Sequence, residues 1–166
     1  MRKEEWELTS GALLAGTRAL FELLGEPLEL VGRVEMPTSW SRVAIVGFAG
    51  QAFGGMLAVS IDASAIARTA PSEDHDDWHC EMANLILGRF KREMLMLGVE
   101  IHLSTPMLVV GESVSLDTAA VSAVVHQLRT SRGESLYIVL DAVAEKSVHL
   151  CPVETVPPVS GEIVLF

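Results

Sequence analysis

The sequence predicts an α+β fold in which two α-β-β-β halves form one largely antiparallel sheet with two long helices packed on it. Three observations predict this. Residues 4–24, EEWELTSGALLAGTRALFELL, and residues 76–97 both place apolar side chains at helical spacing, and each stretch runs out at a Leu-Gly pair, a common left-handed helix stop. Each is followed by short apolar runs rich in Val and Ile and broken by turn residues. A shift of 73 positions lays Leu13, Phe21, Leu24 and Gly25 on Ile86, Met94, Leu97 and Gly98, so the chain reads as an internal repeat.

In chain order, the first helix ends at Gly25, and Pro27 discourages its continuation. LELVGRVEM reads as a strand, and SRVAIVGFAG with GGMLAVSID as a hairpin. ASAIAR is short enough for a brief helix before the turn signal at Pro71-Ser72. The second long helix, 76–97, is followed by the strands VEIHLS, PMLVVG, AVSAVVHQLRT and SLYIVLDAVA, the last two joined by the polar hairpin loop SRGE. Residues 152–166 form a Pro-rich arm with an apolar end, expected to dock on the sheet or a neighbouring chain.

A chain of 166 residues with 49% hydrophobic content can bury one sizeable core and is short for two independent domains. Residues 1–151 are therefore expected to form a single domain. Its apolar runs are broken well before the ~20 residues of a membrane span. MRKEEWELTS carries acids directly after two bases and lacks the apolar centre of a signal peptide, so a cytoplasmic protein is expected. Cys80 and Cys151 are the only cysteines and suit a reducing compartment. A formal net charge of -10 argues against nucleic acid as a partner, because that affinity rests on Lys and Arg neutralising phosphates.

The second helix carries the candidate chemistry. At about 100° per residue, Met82, Ala83, Ile86, Phe90, Met94 and Leu97 gather on a core face. Glu81, Asn84, Gly88 and Lys91 form a stripe on roughly the opposite side. Gly88 makes that stripe informative: a glycine inside an exposed helix costs about 1 kcal/mol relative to alanine, and on this face the core gains nothing in return.

The preceding run, EDHDDWHC, raises a metal site as an alternative, because His75 and His79 at i, i+4 beside Glu81 have ligand spacing. The helical count turns His79 toward the core and away from Glu81, however. Acids are favoured at a helix N-terminus in any case. The run is thus read as a helix entrance, with no metal held by this chain.

The segment EMANLILGRFKREMLMLGVEIHLSTPMLVVG, with VAIVGFAG and GMLAVSID upstream, resembles the CheX branch of the CheC/CheX/FliY family of chemotaxis phosphatases. The signature is Glu81-x-x-Asn84 with Gly88 and Lys91 along the helix, then Gly98, a strand, Pro106 and Gly111. The resemblance implies a phosphatase that removes the aspartyl-phosphate of a CheY-like response regulator. Asn84 would hold the attacking water, Glu81 would pair with a lysine of the regulator, and Gly88 and Lys91 would face the partner. It implies no cofactor on this chain, with Mg²⁺ belonging to the regulator, and a homodimer joined through strands. Two features depart from the pattern. The matching places on the first helix are Leu8, Gly11 and Ala15, so only one Glu-x-x-Asn is present, and TAPSEDHDDWHC is shorter and more acidic than the resemblance implies. The competing readings are a regulator-binding module of the same fold without turnover, and a metal-dependent hydrolase using His75, His79 and Glu81.

Overall fold

The structure is a computed structural model and describes residues 3–51, 53–71, 74–116, 123–144 and 150. The expected arm over residues 152–166 lies outside the described residues. Helix α1 (Lys3–Leu23) is followed by strands β1 (Leu28–Val34), β2 (Trp40–Ala49) and β3 (Phe53–Ile61). The short helix α2 (Ala63–Thr69) leads into the long helix α3 (His75–Met96). Strands β4 (His102–Leu103), β5 (Met107–Val114), β6 (Val124–Thr130) and β7 (Ser135–Ala144) complete the order.

All pairings are antiparallel, in the order β1-β6-β7-β3-β2, with β4 and β5 sharing the far edge of β2. Setting β4 aside, exchanging the halves (β1 with β5, β2 with β6, β3 with β7) turns this order into its own reverse. The repeat read from the sequence is thus built into the sheet, with β3 and β7 at its centre.

The two long helices end alike. Gly25 and Gly98 have φ of 76° and 80°. Beyond them, the Glu26 and Val99 amides each donate to the carbonyl five residues back, Phe21 and Met94, at 2.9 Å. This is the Schellman stop, which needs a residue free to adopt positive φ. The helices run antiparallel and approach closely at Gly16, where an added Cβ would lie 3.1 Å from Arg89 Cβ. Gly16 and Arg89 are themselves 73 positions apart, so the crossing falls where the two halves meet.

On the helix side of the sheet, Leu13, Phe21, Ile86, Phe90 and Met94 bury against Val46, Phe48, Leu57 and Leu140. Phe48 stacks on Phe53 at 5.3 Å and meets Phe90 edge-on at 5.8 Å. The opposite face carries Trp40, Val43, Ala58, Val125 and Val139. Removing each large apolar side chain from water contributes roughly 1.5–3 kcal/mol, so the sheet is stabilised from both faces. Among the described residues, no helix is long and apolar enough to cross a membrane.

One strand differs from the sequence reading. VEIHLS contributes only His102 and Leu103 to the sheet. The cause is competition for one edge: β4 pairs with Phe48 and Ala49, while β5 takes the rest of β2 from Trp40 to Ile45. Between them the Ser104 hydroxyl accepts from the Gly47 amide at 2.8 Å, and Pro106 brings no N–H to a ladder.

Candidate functional site

Helix α3 begins with a side-chain cap, the Asp74 carboxylate accepting from the Asp77 amide at 3.1 Å. Asp76 and Asp77 occupy the first turn, where the helix dipole favours acids. Arg42 Nε lies 3.2 Å from Asp76 Oδ1 without the alignment of a hydrogen bond, and both side chains are well exposed. A pair in that setting contributes little to stability. Trp78 donates its indole N–H to Thr69 Oγ1 at 3.0 Å, tying the start of α3 to α2.

His79 turns inward, as the helical count requires. Its Nε2 lies 3.2 Å from the Val59 carbonyl, so that nitrogen carries the proton and donates. Burial pushes its pKa below the ordinary histidine value, against the opposing effect of this hydrogen bond. His75 is exposed, and Glu81 is exposed on the outward stripe. His79 therefore does not join the other two around one point. Among the described residues no group of three or more His, Cys, Asp and Glu side chains could hold a metal ion. Half-buried Cys80 keeps its thiol protonated, burial raising its pKa.

The inward face is as expected: Met82, Ala83, Ile86, Phe90 and Met94 are fully buried and Leu97 is half-buried. Leu87 is also fully buried and belongs to the same core cluster. Outward, Glu81 and Gly88 are exposed and Asn84 and Lys91 half-buried. Asn84 Nδ2 lies 3.5 Å from Glu81 Oε2, at the limit of a hydrogen bond. That approach leaves the amide oxygen free to accept from another donor. At Gly88 an added Cβ would meet nothing within 4 Å, so this chain's own packing does not require the glycine.

The equivalent places on α1 look different. Leu8, Gly11 and Ala15 line an open groove of about 380 Å³ together with Glu7, Met96 and Leu97. No carboxylate and amide stand together there. The sequence reading did not single out Leu95, which is 54% exposed and continues the stripe one turn past Lys91. Its helical angle could have shown this, but an exposed leucine reads as core in a pattern search.

Residues 42–129, more than half of the chain and including the whole stripe up to Leu95, match the family described as chemotaxis phosphatase CheX. No curated protein sequence matches the chain. Among solved structures, chemotaxis protein CheX from Vibrio vulnificus is similar with a TM-score of 0.70 at 15% identity, over 81% of this chain and 98% of that one. A CheC-like superfamily protein from Shewanella sp. PV-4 gives 0.69 at 14%, over 84% and 98%. The CheX–CheY–BeF3–Mg²⁺ complex from Borrelia burgdorferi gives 0.59 at 16%, over 82% and 96%. These structures share the fold, and the match over residues 42–129 supplies the family: the chain belongs to the CheX chemotaxis phosphatases.

Proposed function

We propose that this chain hydrolyses the aspartyl-phosphate of a CheY-like response regulator, with Asn84 orienting the attacking water and Glu81 holding the regulator. The observation that carries the reading is the Glu81–Asn84 pair, one helical turn apart on an outward stripe with open backbone at Gly88 beside it. A structural relative crystallised as a CheX–CheY complex supports the choice of partner.

The chemistry fits so sparse a site. An acyl phosphate is already reactive, and phosphoryl transfer is accelerated mainly by positioning and electrostatics. Asn84 Oδ1 accepts a hydrogen bond from the water and holds it in line with phosphorus. The water oxygen forms the new bond to phosphorus as the bond to the aspartyl oxygen breaks. Carboxylate and inorganic phosphate leave, and the water's proton passes to phosphate or solvent. Glu81 pairs with a cationic side chain of the regulator, a local attraction that the net charge of -10 does not oppose. Gly88 lets the partner approach, and Lys91 flanks it. The magnesium ion is assigned to the regulator and no cofactor to this chain. A homodimer would form by pairing through edge strand β1 or β5.

The test is the decay of a phosphorylated CheY-like regulator from the same genome, with Mg²⁺, with and without this protein. Accelerated decay supports hydrolysis. Unchanged decay across several regulators that bind would favour the docking module instead.

A further inference from the structure

We infer that the regulator's footprint runs from Glu81 toward the C-terminal end of α3, with Leu95 as its apolar anchor. This inference rests on the functional reading above. Stable interfaces bury about 800 Å² on each partner, a patch roughly 30 Å across. At 1.5 Å of rise per residue, a partner whose footprint contains Asn84 must therefore cover two or more helical turns in at least one direction.

The two directions differ in what they offer. Toward the N-terminus, His75, Asp76 and Asp77 are all exposed, and Asp76 already faces Arg42. Covering carboxylates costs free energy unless each finds a partner, and interface centres are depleted in charge. Toward the C-terminus, open backbone at Gly88 is followed by half-buried Lys91 and then Leu95. Leu95 lies seven residues past Gly88, about 10 Å along the same stripe. A lone exposed leucine needs no explanation in general; Leu95 stands apart by its place in line with Glu81, Asn84 and Gly88. Its neighbour Met96, 45% exposed, is rotated about 100° away and lines the α1 groove. Met96 therefore serves as an internal control, an apolar side chain of similar exposure off the stripe.

The test measures KM and kcat for the phosphorylated regulator with the full chain and three variants, each checked for helicity and Tm. Leu95→Asp is expected to raise KM about tenfold or more with kcat unchanged, while Leu95→Met and Met96→Asp stay near the parent. Unchanged KM in Leu95→Asp with an active parent would overturn the footprint and leave the functional reading standing. An equal rise in Met96→Asp would overturn it too, by showing a general charge effect. A parent that neither binds nor dephosphorylates any regulator would remove the functional reading and this inference with it.

Discussion

Helices α1 and α3 occupy equivalent places in the two halves, yet only their inward faces agree. Leu13 and Phe21 on one, and Ile86 and Met94 on the other, are buried to the same degree, and both helices close with the same glycine stop. Their outward faces diverge: Glu81, Asn84 and Gly88 on α3 stand where α1 has Leu8, Gly11 and Ala15. The core thus specifies one scaffold for both copies, while the outward stripes, which the core does not constrain, are free to differ.

Second only to loss of Asn84, a large effect is expected from removing charge on the α3 stripe. Hydrogen bonds to charged groups contribute about 1.5–3 kcal/mol, so Glu81→Ala should lower kcat/KM for the phosphorylated regulator roughly ten- to a hundredfold, with Tm unchanged. Steady-state kinetics at subsaturating regulator reads this. Parent kinetics in that variant would remove Glu81 from the site.

The two helix glycines sharpen the contrast in the opposite way. Gly16→Val should cost about 1–3 kcal/mol of stability, because the added side chain pushes into the α1–α3 crossing at Arg89. Gly88→Ala should instead stabilise by about 1 kcal/mol, since helix propensity improves and nothing in the chain is displaced. The same substitution should slow dephosphorylation by crowding the partner's approach. Denaturant unfolding and phosphate release measure both quantities, and destabilisation by Gly88→Ala would mean that the position packs inward.

The smallest effect concerns the buried ground beneath α1. His126 on β6 sits 3.3 Å from Ser10 Oγ with its Nδ1 unpartnered. Burial, with a lesser contribution from Arg33, pushes its pKa from 6.5 down to about 4. Between these values the unfolded chain binds a proton that the folded chain refuses. Stability is therefore full above about pH 6.5 and is lost as pH falls toward 4, with a slope of at most about 1.4 kcal/mol per pH unit from this group. His126→Gln should flatten that part of the profile in equilibrium unfolding experiments.

Much of this was legible in the sequence because periodicity decides facing. The 3.6-residue repeat of α3 puts Met82, Ile86 and Phe90 inward and His79 with them, which by itself separates His79 from Glu81. The 73-residue offset likewise anticipated the shared glycine stops. What periodicity does not encode is competition and approach between distant segments. The shortening of β4 depends on β5 claiming most of the β2 edge, and the role of Gly16 depends on a neighbour at Arg89. The α1 groove exists only once Met96 and Leu97 stand opposite Leu8.

The most direct measurement is the decay rate of the phosphorylated regulator with Asn84→Ala beside Gly11→Ala, its counterpart on the other helix. Loss of a single preorganised polar group at a reacting centre costs on the order of a hundredfold or more. If the stripe on α3 carries the chemistry, Asn84→Ala abolishes the acceleration while remaining folded, and Gly11→Ala keeps it. Undiminished acceleration in a folded Asn84→Ala, or equal loss in Gly11→Ala, would contradict the assignment of the site to α3.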